Sequence, residues 1–156
     1  MGRRSSLRGI VGLGTAFPAM IFGLLALFTG IPGCLEAAGD YQTEREEQYV
    51  RVVIGEAADQ GYRGMLAVAE VLRARNWDPT GFSGSKRKDL VDFVERQPRR
   101  VRQEGRRAVE EARSGSFTVG GATHFENVRR FGIPWWAKGM KETVKVKDHT
   151  FWRKEE

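Results

Sequence analysis

The chain has 156 residues, with 26 Lys and Arg against 20 Asp and Glu, a formal charge of +6 and a single cysteine, Cys34. Arg3, Arg4 and Arg8 fall in the first 34 residues, which hold no acid, so residues 35–156 carry only +3 of that charge. The roughly 120 remaining residues suit one domain with a modest core and argue against a second globular domain, while a lone cysteine excludes a disulfide framework.

In chain order, the three arginines precede 26 uncharged residues from Gly9 to Cys34, including the apolar stretch Met20 to Phe28. A basic start followed by an apolar run reads as an export signal or membrane anchor. Ile31, Pro32, Gly33 and Cys34 look like the lipobox of bacterial lipoproteins, which makes Cys34 a candidate lipidation site. Cleaved signal, lipidated anchor and retained span stay open, and each places the domain outside the cytoplasm. Residues 35–43 read as a short polar connector to a domain spanning 44–156.

From Glu44 the pattern turns helical, with Val50, Val53, Ile54 and Ala57 on one face, and closes near Gln60 and Gly61. Arg63 to Asn76 holds Met65, Val68, Ala69 and Leu72 at helical spacing, with Leu66 and Val71 beside them, so this helix is expected to be buried on more than one side. The turn formers Asn76 to Gly81 end it. A third helix is predicted over Arg87–Glu95 and a fourth from Pro98 to Arg113, with Val101, Gly105, Ala108, Val109 and Ala112 inward. Its arginines Arg99, Arg100, Arg102, Arg106 and Arg107 read as a solvated face rather than a polymer-binding stripe. Beyond Ser116 the composition shifts to strand formers: Phe117 to Val119, Ala122 to Phe125, Thr143 to Lys147 and His149 to Trp152, with Pro134 to Gly139 between. Helices first and short strands last predict an α+β domain.

Glycosidic bond cleavage needs a carboxylic acid that stays protonated near neutral pH. Burial raises a carboxyl pKa, and Glu56, with Val52 and Val53 one turn earlier on the predicted helix, is the best-placed candidate.

Three ordered blocks carry a resemblance. Val52 to Leu72, with Gly55, Glu56 and Ala57 near its start, resembles the opening signature of SleB-type cell wall hydrolases, the family of the spore-cortex-lytic enzymes. Gly120 to Asn127 resembles that family's Gly-Gly-Ala-x-x-Phe/Tyr-x-Asn stretch, and Trp135, Trp136, Thr143 and Val146 to Arg153 resemble its closing segment. Lys147 stands where the family often has glycine, and Glu126 replaces an aromatic or histidine; Gly81 to Gly84 is a loose counterpart of the family's Gln-Phe-Ser.

The resemblance implies a compact fold related to the lysozyme-like lytic transglycosylases, acting on peptidoglycan without metal or cofactor, with Glu56 as catalytic acid. Thr123, His124, Phe125, Asn127, Trp135 and His149 are the candidate substrate-binding residues. Of Trp135 and Trp136, adjacent and so pointing differently, one is expected in the core and the other exposed. Glu126 is a possible second carboxylate that would permit attack by water, although strand alternation is expected to turn it outward, opposite Phe125. The competing readings are an amidase, for which two histidines are few, and a non-catalytic peptidoglycan-binding lipoprotein. Nucleic-acid binding conflicts with the leader and lacks a motif. Membrane contact is expected only through the N-terminal segment.

Overall fold

The periodicity beginning at Glu44 is realised as the second half of a long helix. The computed structural model describes residues 32–155, with side chains from residue 42, and α1 runs Pro32–Ala57. The reading of residues 1–34 as a leader therefore falls almost wholly outside the described residues, and the side chain of Cys34 does too. Residues 35–43, read as a connector, continue the helix. Among the described residues no helix is long and apolar enough to cross a membrane.

Helix α1 stops at Ala57, and a 3-10 turn, Ala58–Gln60, leads into α2 (Gly61–Ala74). The side chain of Gln60 is buried and accepts the Asp148 N–H at 3.3 Å, pinning this turn to the far end of the chain. Every residue from Gly64 to Leu72 is buried, as the extra apolar positions predict. Asn76 and Trp77 then take positive φ, 54° and 62°, a conformation a helix cannot continue.

The third helix is shorter than predicted: α3 covers Leu90–Glu95, because Arg87 is extended and folds back to pair with Asp89 at 2.7 Å. Helix α4 (Arg99–Arg113) starts after Pro98 and buries Gly105, Ala108, Val109 and Ala112. A Cβ on Gly105 would lie 2.6 Å from Cγ1 of Ile54, so its bare backbone lets α4 approach α1 closely. On the outer face Arg100 pairs with Glu104 at 2.7 Å, and Arg106 pairs with Glu47. Exposed pairs of this kind add little to stability, as on a solvated face.

Phe117 to Val119 does not form the expected strand; Thr118 and Val119 lie in a turn. The Val119 N–H, which a strand would give to a neighbouring chain, goes instead to the buried carboxylate of Glu70, at 2.9 Å, and the Thr118 hydroxyl joins it at 3.0 Å. The remaining strand formers make an antiparallel sheet in the order β1-β3-β2, with β1 at His124–Asn127, β2 at Met140–Val146 and β3 at His149–Lys154. The two-residue turn between β2 and β3 holds Lys147 at φ 51°, which explains why glycine suits that position. Thr143 forms a bulge in β2 and donates its hydroxyl to the Phe151 carbonyl at 3.2 Å.

The central strand β3 is buried from His149 through Trp152. Phe151 enters the core that Ile54, Met65, Val68, Val71 and Leu72 build from the helices, and Trp152 meets Trp136 edge-on at 5.4 Å. Full burial of such side chains contributes roughly 1.5–3 kcal/mol each, so this packing fixes the sheet against α1 and α2. Helices come first and a small antiparallel sheet closes the chain: the fold is α+β, as predicted.

Candidate active site

Glu56 is the penultimate residue of α1, and Val52 and Val53, one turn earlier, are buried beneath it. Across from them the loop from Phe82 to Gly84 packs onto the helix, and the Gly84 N–H donates a short hydrogen bond to Oε1 of Glu56. The approach depends on two glycines. A Cβ on Gly84 would sit 3.2 Å from the Val52 carbonyl oxygen and 3.3 Å from Glu56 Oε1, and one on Gly55 would sit 2.8 Å from Cδ1 of Leu90. Burial raises the Glu56 pKa above the ordinary carboxylate value; the Gly84 N–H opposes that rise, the negative charge of Glu126 adds to it, and the Ser83 backbone opposes it weakly.

The carboxyl opens on a cavity of about 760 Å³, within the size range of small-ligand sites. Its far wall is the sheet edge. Phe125 on β1 stacks on Phe151 at 5.6 Å and meets Phe82 at 5.7 Å, joining the two walls below the opening. Glu126, half-buried, also lines the cavity and bonds back to the Asn127 N–H at 2.9 Å. Asn127 in turn caps the short helix α5 (Val128–Phe131) by accepting the Arg130 N–H at 3.0 Å.

Burial lowers the pKa of both histidines below the ordinary imidazole value. His149 is buried, which lowers its pKa against the opposing pull of Asp59, Glu126 and Asp148; its Nδ1 has no partner among the described residues. His124 is lowered by partial burial and by the positive charges of Arg75 and Lys154. Its Nδ1 lies 2.9 Å from the Thr123 hydroxyl, and its ring packs 5.4 Å from Trp136. Among the described residues no group of three or more His, Cys, Asp or Glu side chains gathers as a metal site.

Glu56, Thr123, His124, Phe125, Glu126, Asn127 and His149 thus line one cavity. Trp135 does not: it is 88% exposed, in a 3-10 turn (Trp135–Ala137), while Trp136 is the tryptophan at the cavity. The turn gives successive side chains different directions: Trp135 is exposed, as expected of one of the pair, but Trp136 is half-buried at the cavity rather than in the core. Alternation does put Glu126 and Phe125 on opposite faces, yet Glu126 is not directed away from the site, because β1 is an edge strand and both residues border the opening. Sequence reasoning missed Asp59, Arg75 and Arg130. Asp59 follows Glu56 by three residues and was within reach of helical spacing; Arg75 and Arg130 enter only through tertiary packing.

No family model matches the chain, and no curated protein matches it. Among solved structures the chain is similar to the catalytic domain of a germination-specific lytic transglycosylase, SleB, from Bacillus anthracis. The TM-score is 0.52 at 20% identity, over 70% of this chain and 93% of that one. At that identity the likeness is one of fold: the helices and terminal sheet described above form a SleB-like lytic transglycosylase fold.

Proposed function

We propose that this chain degrades peptidoglycan, cleaving the glycan strand next to N-acetylmuramic acid as a lytic transglycosylase with Glu56 as its single acid and base. The observation that carries the reading is a half-buried carboxyl with a raised pKa in the lining of an open cavity, on a SleB-like fold. Protonated Glu56 gives its proton to the bridging glycosidic oxygen, the bond from that oxygen to the muramoyl anomeric carbon breaks, and the leaving sugar departs with a new hydroxyl. The muramoyl C6 hydroxyl oxygen then bonds to the electron-poor anomeric carbon, and its proton passes to the Glu56 carboxylate. No water is consumed, and the tethered hydroxyl replaces a second reactant.

The Gly84 N–H steadies the carboxylate between the two proton transfers, and burial favours the protonated form that the C6 hydroxyl proton regenerates; the opposing effects leave the net pKa raised. Trp136 supplies an apolar face for a sugar ring, while Thr123, His124 and Asn127 offer hydrogen bonds to hydroxyl and N-acetyl groups. Cell-envelope location, with residues 1–34 directing export, belongs to the same reading.

Glu126 favours a second outcome, hydrolysis, since a second carboxylate on the same cavity is where a base for water would stand. Mass spectrometry of the products from peptidoglycan, beside Glu56→Gln, tests both. Anhydro-muramoyl ends made only by the unmodified chain are expected. Reducing ends lost in Glu126→Gln would replace transglycosylation by hydrolysis, free stem peptides would indicate an amidase, and binding without release would leave a glycan-binding module.

A further inference from the structure

Beyond the cavity of Glu56, on the other side of Thr123 and His124, lies a second hollow of about 1000 Å³. Thr123 and His124 are common to both, so the two form neighbouring chambers with a shared wall. The second chamber is lined by Lys141, Arg153 and Lys154, with Glu155 the one acid on its wall. Lys141 on β2 is the direct cross-strand partner of Arg153 on β3. Like charges placed opposite each other weaken a sheet, so this arrangement is not one that stability selects. Two other basic residues of the C-terminal half are paired, Lys145 with Glu142 at 3.5 Å and Arg129 with Asp148 at 3.2 Å. Lys141, Arg153 and Lys154 take part in none of the ion pairs among the described residues.

We infer that this chamber is an anion subsite that holds the carboxylates of the peptide stem attached to the muramoyl unit whose glycosidic bond lies at Glu56. The inference rests on the proposed activity. Every muramoyl unit that carries a stem must project it sideways from the glycan, and the chamber across the Thr123 and His124 wall is where unpaired cations await it. Arginine suits a carboxylate because its planar fork can engage both oxygens. A phosphate polymer is the other anion of such envelopes. Joined through the C6 oxygen of the muramoyl unit, it would block the ring closure that transglycosylation requires, so the stem carboxylates are the fitting occupant.

The test uses the full chain carrying Glu56→Gln, which binds without turnover. Its affinity is measured for soluble glycan chains that bear stem peptides and for the same chains stripped of them, with and without Lys141→Gln and Arg153→Gln. Peptide-bearing chains are expected to bind about tenfold more tightly, an advantage abolished by the two neutralising changes and weakened by salt. Thermal unfolding of the multiple variant is expected to be no lower, since a like-charge pair has been removed; Lys154→Gln provides an independent reading of the same loss. Equal affinity for both glycans, or an advantage that survives the substitutions, overturns the inference alone. Failure to bind either glycan overturns the proposed activity as well. Competition by a glycerol phosphate polymer, but not by free stem peptide, would assign the chamber to phosphate and overturn the carboxylate assignment.

Discussion

Glu56 and Glu70 stand on consecutive helices against the same apolar core, yet their surroundings differ in what they leave for a substrate. Glu70 is 2% exposed, and the protein occupies both its oxygens: Thr118 donates to one and the Val119 N–H to the other. Glu56 meets the Gly84 N–H and faces open space. Burial alone therefore does not make a carboxyl into a proton donor. A fully satisfied buried glutamate holds a loop in place; one left facing a cavity is free to meet a substrate.

The contrast can be broken most severely at Glu56. Glu56→Gln is expected to reduce the rate of peptidoglycan cleavage by about a thousandfold, measured as product release, while the protein stays folded. The raised pKa also sets a pH dependence. Between the ordinary carboxylate value and the raised one, the unfolded chain releases a proton that the folded chain retains, so this group's contribution to stability falls as pH rises. Melting curves from acidic to neutral pH should show Glu56→Gln gaining on the unmodified chain as pH increases.

Glu70→Leu should do the reverse. Removing both oxygens leaves the buried Val119 N–H and the Thr118 hydroxyl without their acceptor, costing about 2 kcal/mol in urea unfolding, with activity per folded molecule retained. Gly84→Ala comes next: the added methyl must displace either the Val52 carbonyl or the Glu56 carboxyl, and about a tenfold fall in kcat with stability changed little would show that carboxyl placement matters. The smallest change is expected from Glu126→Gln. Removing its negative charge lowers the Glu56 pKa, so the basic limb of the pH–rate profile should move to lower pH.

Much of this contrast was legible in local pattern. Val52 and Val53 beside Glu56 marked an apolar setting, whereas the placing of Gly120 to Asn127 near the site came from the family resemblance. Glu70 gave no such sign, since within α2 it reads as one polar residue in an apolar run; its role depends on Thr118 and Val119, 48 and 49 residues away. For the same reason Phe117 to Val119 looked like a strand by composition. Gly84 was visible only as part of a loose Gly81 to Gly84 match, because a close approach between loop and helix leaves no periodicity. Trp135 and Trp136 were indistinguishable by type, and the direction of a 3-10 turn decided between them.

The most direct measurement is an NMR titration of the Glu56 side-chain carboxyl, repeated in Glu126→Gln. The expected result is a midpoint above the ordinary glutamate value that moves down when the neighbouring charge is removed. A midpoint at or below the ordinary value would mean that the Gly84 N–H outweighs burial, and Glu56 would then be an anion with no proton to donate.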